Sequence, residues 1–334
     1  MLHIYKVLGK IFFTTFLVGL SFCFQGLNAT IAYPDFDQSM LRIGLDLETI
    51  DPGFNLKNRK QYDARNQQLI EFFRSMYYKN IEEASNDQST LRIPRIIHQI
   101  WLGSPVPEVF REWMNTWINL EGWEYRLWTE KEIDKLNLYN RALYDQSTNY
   151  GEKSDIVRLE ILSQFGGVYA DLDFECINPE IFEELHHSFD FYIGFEPLEH
   201  GFTNKFNMFK VCNAIMASSP GHPLILDLIE NLKANYLAYK RCCNAVQRTG
   251  PSYLTRLICQ HEYSRAHNKR NMYLPCTFFY PISEPESRYL FQHPDLQAHI
   301  PPETAGFHYW YGSWWKTDPF VSSKGNIPKK FINY

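Results

Sequence analysis

Two aspartates, Asp171 and Asp173, follow an apolar run in the segment VYADLDF. The run predicts a β-strand, and period-two alternation places both carboxylates on one side, where they could converge on a hard divalent cation. Because neighbouring carboxylates repel each other, such a pair is costly unless a cation lies between them. Ligands of open α/β sheets bind at the carboxyl ends of the strands. The spacing therefore predicts a metal site at the end of this strand.

A second candidate pair, Asp155 and Arg158, lies three residues apart in a predicted helix over 153–165, so both side chains share one face. One interpretation is a surface ion pair, which contributes little to stability. The other is a catalytic contact to a ligand. In that case the forked guanidinium of Arg158 donates to oxygens of the ligand, and Asp155 accepts from its hydroxyl groups.

The segment HYWYGSWWK, residues 308–316, offers further groups. His308 could add a neutral imidazole as a third metal ligand beside the two carboxylates. Gly312 permits a close approach of the backbone to a diphosphate, Ser313 could donate a hydrogen bond, and Lys316 adds a positive charge. The alternative is an aromatic cluster that only fixes this end of the chain to the core.

Candidates for contacts to a nucleotide lie in the predicted strands. Trp101 closes the run HQIW, where an indole offers a stacking face to a base or belongs to the core. His98 and Gln99 are weaker candidates, of which one is expected to point inward and pack. We keep Gln99 as a nucleotide contact, together with Tyr169 in the strand before the aspartates.

Strands and helices alternate along the part of the chain that must position these residues. The patterns predict strand 95–103, helix 108–120, strand 123–129, helices 130–143 and 153–165, and strand 168–174. The second of the two adjacent helices stops at a pair of glycines. This alternation predicts an α/β domain with a largely parallel central sheet.

Three segments in this order, IPRIIHQIWLG, SDIVRLEILSQFGGVYADLDF and HYWYGSWW, resemble glycosyltransferase family 32, which includes initiating α-mannosyltransferases. The resemblance runs from about Pro94 to Trp315 and is densest over residues 154–179. It implies a GT-A fold, a Rossmann-like domain for nucleotide sugars. It also implies a UDP- or GDP-sugar as donor, Mn²⁺ or Mg²⁺ as cofactor, and transfer of a hexose with retention to a glycan, glycolipid or protein.

The same resemblance assigns roles to single residues. It makes Asp171 and Asp173 the DxD motif, and Asp155 and Arg158 contacts of the donor sugar. Asn213 lies where polar groups on the acceptor side fall in the family, and a structural turn is the alternative there. The C-terminal segment is similar to the His-x-x-Gly-x-x-Lys loop of related retaining transferases, with one extra residue in each gap.

The composition and the residues near the aspartates limit the classes of protein that the sequence could represent. The 334 residues are 45% hydrophobic and 21% charged, which excludes a disordered or fibrous protein, and the net charge of -5 shows no footprint for nucleic acid. A phosphatase of the aspartyl-phosphate type also ends a strand in DxD, but Glu175 stands where that chemistry prefers Thr or Val. The non-enzymatic alternative is a secreted, metal-dependent carbohydrate-binding protein or an inactive transferase.

The first 29 residues predict a leader rather than part of the fold. Lys6 and Lys10 precede the apolar run 11–24, which is short for a bilayer span and fits a signal peptide. An uncleaved signal anchor and a buried apolar helix are the alternatives. The leader predicts a protein that is secreted, periplasmic or membrane-anchored on the lumenal side. In the anchored form, the N-terminal segment would be the part that associates with the membrane. We divide the rest into a helical or irregular segment 30–93, a transferase domain 94–318 and a tail 319–334.

Two smaller features complete the sequence. Within the segment 30–93, Leu69, Phe72, Phe73 and Met76 recur at helical spacing. Of seven cysteines, removal of the leader would leave six, an even number that permits disulfides in an oxidising compartment. The adjacent residues 242 and 243 are the expected place for a bridge, and a reduced, buried set of thiols is the alternative.

Overall fold

The computed structural model describes residues 31–41, 66–84, 90–198, 200, 209–241, 243–264, 269–293 and 298–312. Several predictions lie outside these residues: the leader 1–29, the tail 319–334, Ser313, Lys316 and Cys242. Three of the described cysteines, Cys176, Cys212 and Cys259, carry free thiols. Among the described residues there is no helix whose length and apolar character would let it cross a membrane.

Helices and strands alternate through most of the described chain. The helices are α1 (Phe36–Met40), α2 (Gln67–Ala84), α3 (Arg111–Ile118), α4 (Glu130–Ile133), α5 (Arg141–Gln146), α6 (Tyr150–Phe165), α7 (Pro179–Ser188), α8 (Pro223–Tyr239), α9 (Ala245–Arg248), α10 (Pro251–Ser264) and α11 (Glu284–Gln292). The strands are β1 (Ile96–Ile100), β2 (Glu124–Trp128), β3 (Gly167–Ala170), β4 (Phe174–Cys176), β5 (Phe191–Phe195), β6 (Val211–Ser218), β7 (Asn271–Leu274) and β8 (Gly306–His308).

Six strands form the central sheet in the order β2-β1-β3-β6-β5-β7. β1 runs parallel to β2 and β3, and β5 runs parallel to β7, whereas β6 is antiparallel to both of its neighbours. Five strands therefore point the same way and only β6 is reversed. The predicted α/β fold with a mostly parallel central sheet is confirmed.

The helix α2 packs against β7, the edge strand of the sheet. Its buried side chains include Ile70, Phe73 and Tyr77, and the Phe73 ring centroid lies 4.8 Å from that of Tyr273 in β7. The predicted helix is confirmed. Of the four expected residues only Phe73 is buried, whereas Ile70 and Tyr77 are buried in place of their neighbours Leu69 and Met76. Nδ2 of Asn80 in this helix also donates to the Asn271 carbonyl of β7 at 2.7 Å.

The predicted single helix over 130–143 is wrong, since the structure has α4 and α5 with a turn between them. The backbone N–H groups of Tyr139 and Asn140 donate to the Glu160 carboxylate at 3.0 and 2.9 Å. Both groups are therefore taken up by a side chain of α6 and do not form helical hydrogen bonds. The contact with Glu160 therefore interrupts the helix between α4 and α5, and the local hydrophobic periodicity does not indicate this contact.

Candidate active site

The aspartate pair lies on a turn and not on a continuous strand. β3 ends at Ala170, and the N–H of Phe174 donates to the Asp171 carbonyl at 3.1 Å, which closes the turn. β4 then leaves the central sheet and pairs with β8 in a separate two-stranded sheet. The predicted strand over 168–174 is therefore wrong beyond residue 170. The carboxylates converge because the chain turns between them, not because a strand alternates.

The pairing of β4 with β8 brings a histidine to the aspartates. Phe174 is the register partner of His308, and Nε2 of His308 lies 3.4 Å from Oδ1 of Asp173. Asp171, Asp173 and His308 each offer one ligand atom, and these atoms lie within 4.8 Å of one another. The structure thus brings together all three residues that the sequence predicts as metal ligands.

The donor set of these three residues fits a divalent cation. Two carboxylate oxygens and one imidazole nitrogen are ligands that Mn²⁺ accepts, and Mg²⁺ prefers the oxygens. The Nδ1 atom of His308 is buried and has no hydrogen-bond partner, so the ring keeps one uncommitted nitrogen. The other ring nitrogen, Nε2, is the one that faces Asp173, so Nε2 is placed to share a cation with the carboxylates.

The two aspartates differ in their electrostatic surroundings. Burial alone would raise the pKa of Asp173, but His308 and the Tyr311 N–H, which donates to Oδ2 at 2.7 Å, lower it below its usual range. Burial raises the pKa of Asp171, and Arg158 opposes this rise. A positive charge placed between the two carboxylates would favour the ionised form of both.

Arg158 lies on α6 and joins the aspartate pair to a second carboxylate. Its Nη2 lies 3.2 Å from Oδ1 of Asp155, and its Nη1 lies 3.4 Å from Oδ1 of Asp171 and donates to the Asn213 carbonyl. The guanidinium also lies 4.3 Å over the Tyr169 ring. The side chains of Arg158 and Asp155 are 5% and 10% exposed, so the surface ion pair is wrong.

Asp155 is held from three sides. Nδ2 of Asn213 donates to one of its oxygens and the Thr249 hydroxyl donates to the other, each at 2.7 Å. Burial raises the Asp155 pKa to about 6, against the opposing effects of Arg158 and of these two hydrogen bonds. Asn213 lies within β6, so the alternative of a turn is wrong. Its side-chain amide contacts Asp155 in this structure.

Gln99 and Tyr169 both donate hydrogen bonds to Asp171. The fully buried Gln99 donates to the Asp171 carbonyl at 3.2 Å and accepts from the Tyr125 hydroxyl at 2.8 Å. The hydroxyl of the buried Tyr169 donates to the Asp171 carboxylate. His98 is buried as well, so both polar residues of β1 point inward. The predicted contacts of Gln99 and Tyr169 to a nucleotide stay predictions, while their observed contacts orient Asp171.

Trp101 follows β1 and keeps a partly exposed ring. Its centroid lies 5.0 Å from that of Phe110, and its Nε1 donates to the Ser104 hydroxyl at 3.2 Å. Gly312 has a φ of +65°, which glycine adopts without strain. The stacking role of Trp101 and the diphosphate role of Gly312 remain predictions, as do those of Ser313 and Lys316.

Sequence reasoning missed two kinds of contact in the site. The first is Thr249, because nothing in its local sequence, TGPSYLT, connects it with Asp155. The second is the backbone of Tyr309 and Tyr311, whose N–H groups donate to the carbonyl and the carboxylate of Asp173. Backbone donors leave no residue type to recognise, so no sequence signal could have indicated them.

Two parts of the sequence match family models of sugar transferases. Residues 107–189 match the glycosyltransferase sugar-binding region containing a DXD motif, and residues 217–332 match the alpha 1,4-glycosyltransferase conserved region. The DXD match includes both aspartates and the pair on α6, and the second match includes His308. The predicted resemblance to DxD-containing sugar transferases is confirmed, and the matches give no support to the alternative of an aspartyl-phosphate phosphatase.

Two yeast relatives carry informative names. Inositol phosphoceramide mannosyltransferase 1 of Schizosaccharomyces pombe is 28% identical over 201 residues, which is 54% of this chain and 57% of that protein. Mannosyl phosphorylinositol ceramide synthase SUR1 of Saccharomyces cerevisiae is 32% identical over 179 residues, which is 51% of this chain and 43% of that protein. The chain thus spans about half the length of these relatives. Among solved structures, PaToxG glycosyltransferase matches with a TM-score of 0.41 and 18% identity, over 59% of this chain and 78% of that chain.

Proposed function

We propose that this chain, a DXD-containing glycosyltransferase by sequence, is a metal-dependent hexosyltransferase that uses a nucleotide diphosphate sugar and retains the anomeric configuration. The observation that carries the proposal is the convergence of Asp171, Asp173 and His308 within 4.8 Å of one another. A site with two carboxylates and an imidazole suits Mn²⁺ or Mg²⁺ as the cofactor. Retention follows from the resemblance to family 32.

Asp171, Asp173 and His308 would hold the cation in this proposal. When bound, the cation supplies positive charge against the negative charge that grows on the leaving diphosphate. Asp173 is ready to act as a ligand because His308 and the Tyr311 N–H favour its ionised form. Asp171 is oriented by the Tyr169 hydroxyl and by the guanidinium of Arg158.

We place the donor sugar against Asp155 and Arg158, the pair of residues on α6. Arg158 contacts two carboxylates and donates to two backbone carbonyls, and Asp155 accepts from Asn213 and Thr249. Such a network holds its members within a narrow range of positions, which transfer between two bound reactants requires. We therefore assign Asp155 and Arg158 to the donor side, with the Trp101 ring at the end of β1 offering a stacking face to the base.

Mannose is the first donor sugar to test, since two relatives are named for mannosyl transfer. Those names also make a lipid that carries inositol phosphate the first acceptor to test, before other glycans, glycolipids and proteins. For localisation we propose export, with the protein secreted or anchored on the lumenal or periplasmic side. This rests on the predicted leader over residues 1–29.

The decisive experiment is a screen of UDP- and GDP-sugars for hydrolysis by the purified protein with and without Mn²⁺. We expect one donor to be cleaved in the presence of Mn²⁺, and EDTA to abolish the cleavage. Nuclear magnetic resonance of the first product formed on an acceptor then reads the anomeric configuration. A protein that binds donor and metal but cleaves nothing would be the inactive transferase, and one that binds only glycans would be the carbohydrate-binding protein.

A further inference from the structure

Trp310 has a backbone φ of +56°, in the left-handed region that bulky side chains rarely adopt. Within the ranges that the structure describes, every other residue with a positive φ is a glycine. Such a conformation costs free energy and persists only where surrounding contacts fix it. Residues of this kind cluster at functional sites, which raises the question of what holds Trp310 and what its conformation achieves.

Contacts on the indole hold the residue in place. Its Nε1 donates to the Ile282 carbonyl at 3.0 Å, and its ring centroid lies 5.4 Å from that of Tyr280. The Tyr280 hydroxyl is fixed in turn by the carbonyl of Cys212 in β6. The indole is therefore anchored to the loop before α11 at one end and to the central sheet through Tyr280.

A buried charged cluster supports the ring from another side. The His200 ring meets Trp310 edge-on at 4.6 Å between centroids. His200 is itself fixed, because its Nδ1 lies 3.1 Å from Oε2 of Glu196 and its Nε2 accepts from the Glu284 N–H at 3.0 Å. Lys210 lies 3.2 Å from the same Glu196 oxygen, so the buried carboxylate is paired. The proposed function makes no use of this cluster.

The position of Trp310 connects it to two of the three candidate ligands. Its ring centroid lies 4.3 Å from that of His308. The amides on either side of it both reach Asp173: the Tyr309 N–H donates to the Asp173 carbonyl at 2.9 Å, and the Tyr311 N–H donates to its carboxylate at 2.7 Å. A left-handed residue between these amides turns the chain at the point where it must meet both acceptors.

We infer that Trp310 is a positioning residue that fixes His308 through its ring and Asp173 through its backbone, so that both can share one cation. The inference rests on the proposed metal-dependent function and deepens it. Trp310 contributes no ligand atom of its own. Groups that orient metal ligands in this way change metal affinity by tenfold or more when they are removed.

Three substitutions separate the ring from the backbone. Trp310→Phe keeps an aromatic ring, Trp310→Gly keeps the left-handed turn without a ring, and Trp310→Val opposes the turn, since a β-branched residue disfavours positive φ. Mn²⁺ affinity is measured by calorimetry on each folded protein, and the melting temperature is measured in EDTA. The matched control is Trp123→Val, which removes a half-buried tryptophan at the amino end of β2.

We expect Mn²⁺ affinity within threefold of the parent protein for Trp310→Phe, about tenfold weaker for Trp310→Gly, and weaker still for Trp310→Val. The control should bind Mn²⁺ as the parent does. If the parent binds Mn²⁺ and all three variants bind it equally well, while only their melting temperatures fall, Trp310 is merely structural and the inference is wrong, although the proposed function stands. If the parent itself does not bind Mn²⁺, the metal-dependent function fails first and the inference with it.

Discussion

Nη1 of Arg158 lies 3.4 Å from Oδ1 of Asp171, so the helix α6 and the turn after β3 are joined by an ion pair between a buried guanidinium and a partly buried carboxylate. The same guanidinium contacts Asp155 and the Asn213 carbonyl. One side chain thus connects the aspartate pair of the candidate metal site with the carboxylate assigned to the donor sugar. Arg158 therefore links the α6 motif to the aspartate motif, although the two are separate in the sequence.

The first prediction concerns Arg158→Lys. A single ammonium group cannot reach Asp155, Asp171 and the Asn213 carbonyl together, so conserving the charge does not conserve the contacts. We expect kcat/KM for the donor to fall by at least about tenfold, measured by initial rates. The control is Arg126→Lys, because Arg126 pairs with the exposed Glu124 on β2. An unchanged kcat/KM in Arg158→Lys would remove this residue from the donor side.

The second prediction tests the candidate metal centre through Asp173→Asn. The amide keeps an oxygen that can accept from the Tyr311 N–H, but it loses the charge that a cation requires. We expect turnover to fall by about a hundredfold or more, with Mn²⁺ binding by calorimetry strongly weakened and the melting temperature in EDTA little changed. Asp134→Asn on an exposed turn serves as the control. Full activity of Asp173→Asn in EDTA would exclude a metal role.

The third prediction separates the two interpretations of His308. If this residue only packs among aromatic rings, His308→Ala lowers stability and leaves the Mn²⁺ requirement of the folded fraction unchanged. We expect instead a Mn²⁺ affinity at least about tenfold weaker, because the imidazole is one of three candidate ligands. Titration of Mn²⁺ against activity decides this. Superimposable curves for the parent and the variant would leave only the two aspartates as ligands.

The fourth prediction concerns the orientation of Asp171 by Tyr169. Burial keeps the Tyr169 pKa well above its usual range, so the hydroxyl stays protonated and donates to Asp171. Tyr169→Phe removes that donor, and we expect a stability loss of about 1 kcal/mol and a Mn²⁺ affinity a few times weaker. Urea unfolding and calorimetry measure the two effects. Tyr139→Phe, on a ring that is 71% exposed, should change neither.

The fifth prediction is a loss of stability in acid that originates in buried histidines. The Trp128 indole N–H donates to Nδ1 of His98 at 3.0 Å, so the proton of the neutral ring is on Nε2, which donates to the Gly166 carbonyl at 2.8 Å. Burial lowers the His98 pKa to about 4, and burial likewise lowers the His222 pKa to about 4. The charged ring of His98 would also lose its bond from Trp128.

Because these pKa values lie below those of the unfolded chain, the unfolded state binds protons first as the pH falls. The stabilisation is complete above about pH 6.5 and is lost as the pH falls towards 4, by about 3 kcal/mol for each such histidine. Unfolding free energies from urea titrations at pH 7.5, 6 and 5 measure it. His98→Gln should be less stable at pH 7.5 but should lose less stability in acid, and an unaltered pH dependence would contradict the assignment to His98.

The sequence alone predicted the three candidate ligands and the class of the fold. An apolar run that ends in Asp171 and Asp173, and a histidine in an aromatic segment, are local patterns, and they predicted these ligands. The alternation of strands and helices likewise predicted a mostly parallel sheet. Periodicity and residue type report which face of an element is apolar and which groups can hold a charge.

Only the tertiary structure decided how these groups meet. The aspartates lie on a turn because β4 leaves the central sheet to pair with β8, and that pairing also delivers His308. Asp155 receives its hydrogen bonds from Asn213 and Thr249, which are 58 and 94 residues away in the chain. Such contacts depend on the packing of distant elements and on backbone donors that any residue type provides. Local patterns do not encode them, because a side chain's own sequence neighbours leave its long-range partner unspecified.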